Sequence, residues 1–172
     1  PLPGIGDVVW HLPHLKAIAA QAPDEQITLL TKRRSGADRL LAGESFIDEV
    51  MYLQDGGGRH DGALGGLRLG DDLRGQGFDE IWILHHSLRY ALAGWRAGIP
   101  LRAGYGIGWQ DMFLTESPTL VHADKNLSAI AKADKLLALQ SVEMVEAAPT
   151  LHPTEAAQAA ADVVDIGLSG CP

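Results

Sequence analysis

The chain has 172 residues, 46% hydrophobic and 21% charged, the balance of a globular domain long enough for one full core. Its formal net charge of -8 argues against a general nucleic-acid-binding surface, which needs a basic face, though not against a local basic site. The one cysteine, Cys171, permits no internal disulfide and fits a reducing compartment; no apolar run approaches the ~20 residues of a membrane span, and no signal peptide is visible.

The chain opens on Pro3-Gly4-Ile5-Gly6-Asp7-Val8-Val9-Trp10-His11-Leu12-Pro13. Two glycines one residue apart predict a tight turn with room for a ligand to approach closely. Asp7 stands where a helical period begins, through Val8, Leu12, Leu15, Ile18 and Ala19. Two roles are open to it. It can cap the helix, accepting hydrogen bonds from the free amides of Val9 or Trp10. It can also present a carboxylate at the ligand edge of an α/β sheet, where it takes a proton from a substrate hydroxyl. The helix is expected to run to about Ala22, bent by Pro13 in its second turn and ended by Pro23-Asp24. The strand that feeds the glycine turn is expected from residues before Pro1.

Gln26 to Thr31 reads as a short apolar strand, and Lys32-Arg33-Arg34 follows at its carboxyl end, either as a solvated loop or as an anion site. Ser35 caps a short helix carrying Leu40 and Leu41, and Asp48 to Leu53 is the next strand. Gln54 to Gly77 is rich in glycine and carries Arg59, His60, Arg68 and Arg74. It reads as a mobile connection around a weak helix from Ala63 to Leu73, or as a lid over an anionic acceptor. Phe78 to Leu84 is a buried strand running into His85-His86-Ser87, where Ser87 caps a helix and Ser87 and Arg89 face the ligand cleft. Adjacent histidines cannot share one helix face and no third ligand stands at metal spacing, so no metal is expected.

Gly98 to Tyr105 leads into a short last strand. The apolar loop after it, with Trp109, Met112 and Phe113, either tucks against its own domain or forms an exposed patch. Asn126 to Leu139 is a helix, Pro149 and Pro153 mark a linker, and Thr154-Glu155 opens an alanine-rich helix to about Val164. Strands alternating with helices predict a doubly wound α/β fold, a parallel sheet in order 3-2-1-4-5 with helices on both faces.

Gly-Ile-Gly-Asp-Val-Val with its Leu-Pro step resembles the opening of the family 9 glycosyltransferases, the lipopolysaccharide heptosyltransferases and their relatives. Two later stretches extend the resemblance: the Phe78-Asp79 strand with Ser87-x-Arg89-x-Ala91-Leu92, and Gly98-Ile99-Pro100-x-Arg102-x-Gly104, in the family's order and at similar distances. Together they cover most of residues 3–105. The resemblance implies a Rossmann-like sheet, the N-terminal half of a GT-B fold. Residues 1–150 would be the acceptor-binding domain and 151–172 an interdomain linker and helix, with the nucleotide-sugar domain outside this chain.

It further implies ADP-heptose as donor, a lipopolysaccharide-core or other lipid-linked glycan hydroxyl as acceptor, and neither metal nor cofactor. The place would be cytoplasmic with peripheral contact at the inner membrane, with no nucleic-acid partner. Asp7 takes the part of the general base; Gly4, Gly6, Lys32, Arg33, Arg34, Ser87 and Arg89 are the acceptor-binding candidates. Many relatives carry serines before the Gly-Asp step where this chain has Pro3-Gly4, so their hydroxyl contacts do not carry over. The segment alone is expected to be inactive.

Two other functions stay open. A dinucleotide-binding oxidoreductase domain fits Gly4-x-Gly6, and Lys32 to Arg34 would suit a 2′-phosphate, but Val9 stands at the third glycine position and no acidic residue ends the second strand. A non-enzymatic binding module would need no chemistry at Asp7.

Overall fold

A computed structural model describes residues 4–144, 146, 148–154, 156 and 158. Helices and strands alternate through it: α1 (Ile5–Trp10), α2 (Leu12–Ala19), β1 (Ile27–Lys32), α3 (Ala37–Leu40), β2 (Ile47–Leu53), α4 (Gly65–Leu73), β3 (Glu80–Ile83), α5 (Leu88–Ala97), β4 (Leu101–Gly104) and α6 (Ala129–Leu139). Short 3-10 turns lie at Arg33–Ser35, Gly108–Phe113 and His122–Asn126. Pro1 to Pro3, Cys171 and most of the helix expected from Thr154 to Val164 fall outside the described residues.

All strand pairing is parallel. β1 runs beside β2 from Ile27↔Ile47 to Lys32↔Leu53, with a register shift after Ile27, and β3 beside β4 from Glu80↔Leu101 to Ile83↔Gly104. These are the 3-2 and 4-5 ends of the predicted order. Among the described residues the two pairs form two separate sheets, because β1 and β3 share no hydrogen bonds.

Helices cover both faces. Val8, Leu12 and Leu15 pack with Leu29, Ala37 and Leu41, and Leu84 joins them from beyond β3. Ala17 and Ile18 meet Leu137 and Val142 over Trp82 and Leu84. On the opposite face Leu69 and Leu73 of α4 and Ala93 of α5 pack with Leu53, Leu30 and Met51. β1 serves both layers because its side chains alternate, Leu29 to one face and Leu30 to the other.

The opening differs from the expected single bent helix. It breaks at His11 (φ -94, ψ 2) into α1 and α2, and Pro13 sits in the first turn of α2. An amide there has no partner inside the helix, so proline costs little. The glycine turn is also corrected. Gly4 is extended (φ -137, ψ 171) and Gly6 lies inside α1, so the two glycines open a helix rather than form the tight turn expected of them. The space beside Gly6 is open, since a Cβ there would meet nothing within 4 Å, whereas one on Gly4 would stand 3.2 Å from Asp7 Oδ2.

The glycines of α4 serve a different end. A Cβ on Gly70 would stand 2.7 Å from the Ala93 carbonyl oxygen, and one on Gly66 would stand 3.0 Å from that of Arg89. The Gly70 approach is closer than a Cβ can come and the Gly66 approach is tight, so these two glycines, one turn apart, let α4 lie directly on α5. The loop before α4, expected to be mobile, is tied down by residues scattered in sequence. His60 is buried; its Nδ1 accepts from the Gln54 amide at 3.0 Å and its Nε2 donates to Asp72 at 2.9 Å. Arg59 donates to the same carboxylate at 3.0 Å. Among the described residues no helix is long and apolar enough to cross a membrane.

Candidate active site

Burial of Val8 and Leu12 fixes α1 against the core and thereby orients Asp7, the third residue of that helix. Asp7 is half-buried, and its Oδ2 accepts the Gly4 amide at 3.1 Å. The capping partner is thus the residue ahead of the helix, not Val9 or Trp10. Gly4 is the N-cap, and the carboxylate reaches back over the first turn, where the helix dipole favours negative charge.

α1 packs against the Arg33–Ser35 turn and against α3, so the basic run shares the carboxyl edge with Asp7. Ser35 closes that turn, its Oγ donating to the Lys32 carbonyl at 2.7 Å and accepting from the Ala37 amide at 3.3 Å. The three bases do not act alike. Lys32 is paired with Asp55 at 2.6 Å, and that hydrogen bond holds the Asp55 carboxyl below the usual carboxylate range. The Arg33 guanidinium lies over the Tyr52 ring, 5.4 Å from its centre, and both Arg33 and Arg34 are exposed. Arg33 borders a depression of about 500 Å³ whose wall also carries Glu49 and Asp55, so the basic character of this edge is local.

At the exit of β3, Ser87 caps α5 as predicted, its Oγ accepting from the Arg89 amide at 3.3 Å. The Ser87 amide donates to His85 Nδ1 at 3.0 Å. His85 stacks on His86 with ring centres 4.6 Å apart and meets Tyr90 edge-on at 5.4 Å. Burial pushes His85 down to about 4 and Tyr90 up to about 12, so both are neutral at pH 7. Arg89 is engaged elsewhere than expected. It donates to the carbonyls of His60 at 3.0 Å and Gly62 at 3.3 Å, which makes it an anchor of the loop before α4. The structure therefore gathers Gly4, Gly6, Asp7, Arg33 and Arg34 around the start of α1, with Lys32 neutralised beside them and Arg89 turned to the opposite layer.

Two groups were not legible in the sequence. Gln110 is fully buried; its Nε2 donates to the carbonyls of His85 at 2.7 Å and Ser87 at 3.3 Å, and its Oε1 accepts from the Gly106 amide at 2.9 Å. It sits in an aperiodic loop, and no local pattern marks it. His11 is buried beneath Asp7, its Nδ1 donating to the Asp7 carbonyl at 2.7 Å, and burial pushes its pKa below the ordinary histidine value. His14, with its ring centre 5.3 Å from that of His11, bonds to Asp134 at 2.8 Å. Their i, i+3 spacing is the one signal that could have paired them.

The loop carrying Gln110 divides between the two forms expected of it, with Gln110 tucked in and two apolar side chains facing out. Trp109 is 73% and Met112 68% exposed, while Phe113 turns in to meet Trp95. Among the described residues no three His, Cys, Asp or Glu side chains are grouped to hold a metal ion.

No protein-family model and no curated protein matches this sequence. Two solved structures are similar to it. One is the structure of E. coli ADP-heptose lps heptosyltransferase II, with a TM-score of 0.61 and 21% identity over 90% of this chain and 46% of that one. The other is the crystal structure of the glycosyl transferase family 9 from Veillonella parvula DSM 2008, with a TM-score of 0.62 and 22% identity over 87% of this chain and 41% of that one. This chain thus spans less than half the length of either. At such identities the likeness is one of fold. Parallel strands with helices on both faces form the same α/β architecture as part of these glycosyltransferase structures, the architecture that the Gly-Ile-Gly-Asp opening implied.

Proposed function

We propose that the chain is the acceptor-binding part of a glycosyltransferase, one that moves a heptose-like sugar from an ADP-sugar to a hydroxyl of a lipopolysaccharide-core or related lipid-linked glycan. The observation that carries this reading is Asp7: a half-buried carboxylate on the first turn of a helix, packed beside a turn with two exposed arginines. The fold likeness to two glycosyltransferase structures supports it.

In the reaction the acceptor oxygen attacks the anomeric carbon and the bond from that carbon to the diphosphate breaks. The hydroxyl proton passes to the Asp7 carboxylate. Arg33 and Arg34 pair with anionic groups of the acceptor, for which planar guanidinium donors are suited. The nucleotide is held mainly by a domain outside these residues, joined through 151–172, so this chain alone does not turn over. The exposed Trp109 and Met112 meet the lipid side of the acceptor, a peripheral contact at the cytoplasmic side of the inner membrane. Nothing in the geometry favours dinucleotide binding, because Val9 closes the third glycine position and Lys32 is already paired with Asp55.

Asp7→Asn in the whole protein tests the proposal. The asparagine oxygen still accepts from the Gly4 amide, so the helix start is preserved. Transfer from ADP-heptose should fall by roughly 100-fold or more, the scale of a lost general base, with an unchanged melting temperature. Near-normal turnover would reduce Asp7 to a helix-start residue.

A further inference from the structure

α1 carries an aromatic side chain that the core does not use. Trp10 is 61% exposed, and among the described residues no ring, cation or hydrogen-bond partner meets its indole. Val8 is the residue of this helix that reaches the core. The other exposed tryptophans have different surroundings: Trp95 meets Phe113 edge-on, and Trp109 stands on a ledge with Met112. Trp10 stands beside a carboxylate.

Helix geometry fixes what lies next to it. At ~100° per residue, Trp10 is about 40° round α1 from Gly6 and about 60° from Asp7, one turn further along. Side chains on a helix lean toward its N-terminus, so the surface that Trp10 covers is the turn holding Gly6 and Asp7. Gly6 leaves that turn bare. A Cβ there would meet nothing within 4 Å, so even the indole stands clear of it. The result is a recess floored by bare backbone, with an aromatic ring at one end and the half-buried Asp7 at its side. Asp7 Oδ2 accepts from the Gly4 amide, and among the described residues no donor reaches Oδ1.

This mixture suits a sugar ring. A pyranose has a face of C–H groups, which matches the negative face of an indole, and an edge of hydroxyl donors, which matches a free carboxylate oxygen. An apolar partner surface laid on Trp10 and the exposed Ile5 would bury the Asp7 charge beside them, and burying a charge without a partner is costly.

We propose that Trp10 is a stacking platform for a sugar ring of the acceptor, whose C–H face lies on the indole over Gly6 and whose hydroxyl edge reaches Asp7 Oδ1; this rests on the glycan-acceptor reading given above. Trp10 and Gly6 then decide which acceptor is held, while the proton transfer stays with Asp7.

The test uses the whole protein, with a deacylated lipopolysaccharide-core oligosaccharide as probe. Calorimetry reads its binding with no donor present, and transfer from ADP-heptose is followed separately. Trp10→Leu keeps an apolar side chain but removes the aromatic face, Trp10→Phe keeps a smaller one, and Gly6→Leu fills the recess at a position where a Cβ has room. Trp10→Leu and Gly6→Leu should each weaken oligosaccharide binding by about tenfold or more, the scale of a lost aromatic contact at a binding hot spot. Acceptor KM should rise by the same factor with a smaller change in kcat, while the KM for ADP-heptose and the melting temperature hold. Trp10→Phe should restore most of the binding. Unchanged binding by Trp10→Leu overturns the proposal and leaves the transferase reading standing. A lowered melting temperature, with binding that Trp10→Phe does not restore, also overturns it, because Trp10 would then be a packing contact within the whole protein. So does failure of the unsubstituted protein to bind the probe. Binding that depends on Trp10 without any transfer from ADP-heptose keeps the platform and overturns the transferase reading instead.

Discussion

The β1–β2 and β3–β4 halves of this domain meet along two seams. In the helical layer, α4 from the first half lies so close to α5 of the second that a Cβ on Gly70 would reach within 2.7 Å of a backbone oxygen. In the sheet the same halves face one another across about 680 Å³. The difference follows from where each element finds its backbone hydrogen bonds. A helix satisfies them within itself, so two helices close by trimming side chains. A strand finds them only in a neighbouring strand, and no change of side chain supplies one. A helical layer can therefore be complete while the sheet beneath it is not.

Four changes separate the seams, each read as a shift in urea unfolding. Leu69 is fully buried in the closed seam, and Leu69→Ala should cost about 2–5 kcal/mol, since a cavity there has no room to collapse. Gly70→Ala should cost about 1–3 kcal/mol through overpacking against Ala93 and Arg96, even though alanine is worth about 1 kcal/mol more than glycine in an open helix. A stabilising Gly70→Ala would show that the closed seam is loose.

Acid acts at the exit of β3. His85 is depressed from 6.5 to about 4 by burial, with His86 and Lys32 adding to the effect. The unfolded chain therefore binds the proton more readily between those values, and stability falls as the pH drops through that window. From pH 7 to pH 5 this site should contribute a loss of about 2 kcal/mol at most. His85→Gln should flatten that part of the profile. The smallest effect belongs to the open seam: Leu30→Ala, at a half-buried position on the cleft, should cost about 1 kcal/mol.

The pattern of elements was legible because periodicity is a local property. Asp48 to Leu53 lies within β2, Ser87 caps α5, and the helix expected from Asn126 to Leu139 begins at Ala129. What escaped the sequence depends on partners far along the chain. The glycines of α4 looked like helix weakeners until α5 was seen against them. Arg89 looked like an acceptor contact, but its partners are carbonyls of a loop up to 29 residues earlier. Asp7 was placed on the correct helix turn, yet its hydrogen-bond partner depended on where the helix begins, which is at the extended Gly4 N-cap.

Gln110 ties the loop of Trp109 and Met112 to the turn that begins α5. The ledge of Trp109 and Met112 projects into solvent, while the next side chain inward bolts the loop to the backbone of His85 and Ser87. Breaking those buried bonds costs about 1–3 kcal/mol each. A sideways load on the ledge is therefore transmitted to the turn that begins α5 before the loop gives way. Gln110→Leu would leave the ledge in place but uncouple it: Trp109 fluorescence would still respond to a docking surface, while the Ser87 amide would no longer register the contact.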